Sequence, residues 1–182
     1  MEEGRRAVIR ARTMIYEVIG DLCILVHGEA PPSNDEWNEY LAGGRERLPT
    51  MKSPRCIVVT DGVAPTPTQR AALNAVLAEF GKPVPTAVIT RSVVARSVVT
   101  VMGLFNSAIR SFAPTELSAA MLYLGIEPVR RPDLVERIVR MRIALSSESG
   151  PLDAPIDLRQ IADEMESLMV RPLPLLRNVS KR

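Results

Sequence analysis

Residues 55–62 read Arg-Cys-Ile-Val-Val-Thr-Asp-Gly, and this stretch decides the fold. Cys56, Ile57, Val58 and Val59 form an unbroken apolar run. Thr60-Asp61-Gly62 then supplies turn chemistry, and Thr66-Pro67-Thr68 opens a long helical pattern. A short continuous apolar run that ends in a turn and feeds a helix reads as a central strand buried on both faces.

Upstream, residues 13–19 and 22–29 are rich in β-branched and aliphatic side chains. Gly20-Asp21 joins them, a two-residue connection with glycine first, which predicts an antiparallel hairpin with a type II′ turn. Alternation in the second strand places Leu22, Ile24 and Val26 on one face and Cys23, Leu25 and His27 on the other. Both sets are largely apolar, so cover on both sides is expected. Val8 and Ile9 have the character to begin a further strand in the charged first twelve residues. Ser33 with Glu36 three residues later forms a capping box for a helix whose buried stripe is Trp37, Tyr40 and Leu41. Gly43-Gly44 is expected to interrupt or end that helix, and Pro49 to close the segment.

Downstream, Ala71, Ala72, Ala75, Val76 and Phe80 predict the apolar face of the second helix, with Gly81 as its C-terminal cap. Residues 84–90 read as a strand parallel to the central one, joined to it by a right-handed crossover. Residues 92–105 are valine-rich but stand where the order of elements calls for a helix, one that is buried except for a polar stripe carrying Arg96 and Thr100. Residues 108–112 predict an edge strand. A helix follows, with Leu117, Ala120, Met121 and Leu124 inward and Gly125 as its cap. After Pro128 come a basic amphipathic helix, a Ser/Gly/Pro linker, a second amphipathic helix over 157–169, and a Pro/Leu tail.

The resulting order, ββαβαβαβα, resembles the STAS superfamily in its SpoIIAA-like branch. The resemblance rests on Cys-Ile-Val-Val-Thr-Asp-Gly at 56–62, Pro-Thr-Ala-Val-Ile-Thr-Arg-Ser at 85–92, and the strand–helix unit at 109–125 that closes in Leu-Gly. It covers about residues 13–127. It implies an α/β fold with a mixed sheet and helices mainly on one face. The division that follows is 1–127 as the STAS-like domain, 128–150 as an appended helix, and 151–182 as linker, helix and tail. In antagonist members of the family, the loop after the central strand carries a phosphorylatable serine. Here that serine is absent, and the hydroxyls near the helix start are Thr66 and Thr68. Each reads as a helix-capping residue or as a phosphoacceptor at the positive end of a helix.

Composition narrows the chemistry. The chain has 182 residues, 46% of them hydrophobic, which is enough for a core. Its 23 basic and 21 acidic residues leave a net charge of +2, and aromatics make up only 4%. Neither lopsided charge nor stacking platforms suggest a nucleic-acid partner. Cys23 and Cys56 both lie in strand-like runs, which reads as buried thiols in a reducing, cytoplasmic setting. No run approaches a membrane span. One histidine, His27, with no nucleophile elbow, no phosphate loop and no metal-ligand spacing predicts neither an enzyme nor a cofactor or metal protein. Asp61 stands at the carboxyl end of the central strand, with Arg91 and Arg96 available near that edge for an anion.

Two functions from different classes remain. One is a non-enzymatic module that binds a protein partner or a second copy of itself. Its contact residues would be Leu158, Ile161, Met165, Leu168, Met169, Leu173 and Leu175 of the C-terminal segment. The other is a binding domain for a small hydrophobic ligand or lipid, as in branches of the fold grouped with the SEC14 type. In that reading the apolar helix over 92–105 would line the pocket.

Overall fold

The computed structural model describes residues 12–60, 64–92, 99 and 108–146. Among these, five strands form one sheet: β1 (Met14–Ile19), β2 (Leu22–His27), β3 (Arg55–Thr60), β4 (Thr86–Thr90) and β5 (Ile109–Phe112). They lie side by side in chain order, β1-β2-β3-β4-β5. β1 and β2 are antiparallel, with Ile19 opposite Leu22 across the turn. Gly20 takes φ +59°, the positive value that primed hairpin turns demand. All other pairings are parallel, so β3 sits in the centre.

Four α-helices complete the described fold: α1 (Asn34–Arg47), α2 (Pro67–Phe80), α3 (Leu117–Tyr123) and α4 (Arg131–Ser146). They divide between the two faces of the sheet, two and two, where the family resemblance implies helices mainly on one face. The reason lies in the strands. β2 and β3 alternate apolar residues outward on both sides, so both sides need cover. On one face Ile24, Val26, Ile57, Val59 and Ile89 pack with Ala120 and Met121 of α3, with its C-cap Leu124, and with Leu134, Ile138 and Met141 of α4. On the other face Met14 and Leu25 pack with Trp37 and Leu41 of α1 and Val76 of α2.

α4 is therefore part of the core, whereas the sequence placed it outside the domain. Its Ile138, Val139 and Met141 are almost wholly buried. Its arginines lie toward solvent, where Arg137 donates to Glu17 of β1 at 2.6 Å. Interleaved arginines gave the helix the look of an appendage, but its i, i+4 apolar stripe is a core face.

α1 also departs from expectation. It runs through Gly43 and Gly44 without a break and ends at Arg47. Gly43 serves as a notch: a Cβ there would stand 3.2 Å from the hydroxyl of Tyr16. The helix thus approaches β1 closely because this residue has no side chain. In α2 the buried positions are Gln69 and Val76, with Ala71 and Ala75 exposed. The face is rotated from the predicted one because Gln69 is drawn inward. Its amide donates to the carbonyl of Pro32 at 2.9 Å and to Asn34 at 3.1 Å. Its side-chain carbonyl accepts from the Thr66 main-chain amide at 2.9 Å, and its main-chain carbonyl accepts from the Trp37 indole at 2.9 Å. Satisfied in this way, a polar side chain can be buried at little cost.

Candidate functional site

The sheet face under α1 and α2 is incompletely filled. A cavity of about 160 Å³ lies there, with walls almost entirely apolar. Its floor is the alternate-residue face of β2 and β3: Cys23, Leu25 and His27 beside Cys56, Val58 and Thr60. Trp37 and Tyr40 of α1 and Leu73 of α2 form the roof, and Gly43 and Gly44 leave it thin. The position of Val58 shows what this means. It is the middle of the central strand, yet it is only half-buried, while its neighbours Ile57 and Val59 on the opposite face are closed off. Val99 also lines the cavity and is buried, which places one residue of the valine-rich segment at its wall.

Each polar group in this pocket has a distinct condition. His27 is 4% exposed and stacks on Trp37, with ring centroids 6.2 Å apart. Its Nδ1 has no hydrogen-bond partner. Burial lowers its pKa to about 4, with Glu36 acting in the opposite direction, so the ring is neutral near pH 7. Glu36 itself is held by the N-terminal entry of α1. It accepts from the Thr13 amide at 2.8 Å, from the Thr13 hydroxyl and from the Ser33 hydroxyl at 2.7 Å. Burial pushes its carboxyl up, but these bonds outweigh burial and leave it below the ordinary value.

Cys23 and Cys56 are direct partners in the β2–β3 register, and both are free thiols. A hydrogen bond from Cys56 lowers the Cys23 thiol, burial opposes it, and a bond from Tyr40 adds to the lowering. Cys56 moves the other way, raised by its bond to Cys23 and by burial. Burial raises the Tyr40 hydroxyl, and the two thiols raise it further.

The residues singled out in the sequence fare unevenly. Thr66 is the N-cap of α2: its hydroxyl accepts from the Gln69 amide at 3.2 Å, and Gln69 Oε1 accepts from the Thr66 amide at 2.9 Å. Thr68 is exposed in the first turn of α2. Arg91 is half-buried just beyond β4. Asp61, Arg96, Leu158, Ile161, Met165, Leu168, Met169, Leu173 and Leu175 lie outside the described residues. The cavity gathers none of Thr66, Thr68 and Arg91. Its chemistry comes from His27, Cys23, Cys56 and Tyr40. The signal in the sequence was the alternation that put Cys23, Leu25 and His27 on one face of β2. What it lacked was the register that sets Cys56 beside Cys23.

A second, polar cleft of about 270 Å³ opens on the other face, between the hairpin and α4. It mixes Arg55, Arg130 and Arg137 with Asp21, Glu127 and Asp133, so its charges offset one another. Arg55 is already committed to the Leu124 carbonyl at 2.8 Å. Among the described residues no three potential metal ligands cluster, and no helix is long and apolar enough to cross a membrane. Comparison of the chain with family models, with curated proteins and with solved structures finds no match.

Proposed function

We propose that the domain binds a small, uncharged, mainly apolar molecule in the cavity between the sheet and α1–α2. The observation that carries this is the half-buried Val58 at the centre of the sheet, facing an apolar space of about 160 Å³. Leaving such space empty forfeits packing energy, on the order of 24 cal/mol per Å³ in core cavities. A cavity of about 150 Å³ accommodates a molecule of benzene size. The neutral His27, with its unpartnered Nδ1, favours a ligand with an uncharged hydrogen-bonding group over an anion. The resemblance of residues 13–127 to a branch grouped with lipid-binding SEC14 domains points the same way.

Calorimetric titration with a graded series of aliphatic and aromatic alcohols tests the reading. Affinity should rise with apolar size, peak near benzyl alcohol, and fall for longer chains. Affinity that climbs monotonically with hydrophobicity would mean surface partitioning and no defined cavity.

A second reading belongs to residues 151–182. α4 is consumed by the core, which leaves the apolar stripe that the sequence predicts over 157–169, with Leu158, Ile161, Met165, Leu168 and Met169. That stripe supports self-association or docking on a partner protein. Light scattering on the chain ended after Gly150 tests it: unchanged assembly removes this reading.

A further inference from the structure

Cys23 and Cys56 stand side by side on adjacent parallel strands, and both line the cavity. Their exposure differs: Cys23 is half-buried, and Cys56 is buried. Residues in register on neighbouring strands are about 4.7–4.9 Å apart, close enough for the two side chains to touch on the face they share. Tyr40 of α1 lines the same cavity. A thiol with open space in front of it and two groups able to donate beside it differs from a thiol that merely fills a core.

We propose that Cys23 is a nucleophilic thiol that captures small apolar electrophiles of the α,β-unsaturated carbonyl class inside the cavity. Cys56 and Tyr40 act as its hydrogen-bond donors. The inference rests on the cavity reading above and names a chemical class that this site would take. The step is a simple addition. The Cys23 sulfur forms a bond to the β-carbon of the enal, and the carbon–carbon π bond breaks. The proton that Cys23 carried ends on the α-carbon, relayed through Cys56 or Tyr40. Nothing else is consumed or released. The bonds from Cys56 and Tyr40 favour the thiolate of Cys23, and the raised Cys56 keeps its own proton. The other titratable groups that line the cavity are His27 on β2, Tyr16 on β1, Arg47 at the end of α1 and Arg55 on β3, and Glu39 of α1 acts on Tyr16. The apolar walls concentrate an uncharged enal where a charged reagent such as glutathione is excluded.

The experiment treats the full chain with crotonaldehyde and follows the mass of the intact protein, with peptide mapping of the adduct. One adduct per chain on Cys23 is expected, formed faster than on free glutathione under the same conditions. Benzyl alcohol in excess should slow it, and butanal, which lacks the double bond, should give no stable thioether. Cys23→Ser should abolish the adduct. Cys56→Ala and Tyr40→Phe should each slow it by roughly three-fold or more, the change in rate that a unit of thiol pKa produces. Adduct on Cys56 in preference to Cys23, a rate no greater than that of glutathione, or a rate indifferent to benzyl alcohol would overturn the inference. Benzyl alcohol binding, measured alone by calorimetry, reports separately on the cavity, so failure of the thiol chemistry is distinguishable from failure of the ligand site.

Discussion

His27 is the residue at which burial, stacking and a missing hydrogen bond meet. Its folded pKa is about 4, depressed from 6.5 by burial. The unfolded chain therefore binds a proton more readily than the folded one between these values, and stability rises with pH across that window. Full stability holds above about pH 6.5, and about 3 kcal/mol is lost as pH falls to about 4. Urea unfolding of wild type and His27→Phe over this range checks it. The phenyl variant keeps the ring against Trp37 and should lose most of the slope attributable to this residue. The sequence showed His27 on a face of β2 with Cys23 and Leu25. It did not show that the face borders a void, because the volume between two layers depends on side chains from α1 and α2 together. Gln69 was missed for a related reason. Its amide is satisfied by Pro32 and Asn34, both more than thirty residues away in the chain.

At the scale of elements, local chemistry was legible wherever it acts over a few residues. Ser33 and Glu36 form the capping box that their spacing predicted. Gly81 and Gly125 take φ of +73° and +64° where helices end. The pair Gly43-Gly44 misled because a glycine reads as a break from sequence, while here tertiary contact overrides propensity. Two substitutions separate the roles of these residues. A Cβ at Gly44 would meet Val76 at 3.9 Å, an ordinary contact. Gly44→Ala should therefore stabilise the protein by about 0.5–1 kcal/mol through helix propensity. Gly43→Ala should gain clearly less, since its Cβ must displace the Tyr16 hydroxyl 3.2 Å away. Thermal unfolding of the two single variants compares them directly. Surface pairs such as Arg45 with Glu79, which link α1 to α2 at 3.0 Å, contribute little because both partners are largely exposed.

For the whole molecule, the placement of α4 changes where the chain can be cut. Leu134, Ile138, Val139 and Met141 close the sheet face opposite the cavity. A chain ended after Pro128 should expose Ile24, Val26 and Ile57 and show no cooperative unfolding transition, whereas one ended after Gly150 should unfold cooperatively. Circular dichroism during heating distinguishes the two. The order of the described elements could be read from the chain, since each strand and helix has its own apolar period, while the helix expected over 92–105 lies outside the described residues save for Ser92 and Val99. Which helix covers which face could not, since an amphipathic stripe fits any apolar surface that topology offers. The central claim is that the space beside Val58 is a ligand site. Calorimetric titration of benzyl alcohol into wild type and Val58→Phe, a variant whose added ring occupies that space, tests it most directly. The account predicts saturable one-to-one binding to wild type and none to the folded variant. Equal binding to both, or no saturable binding to wild type, would contradict it.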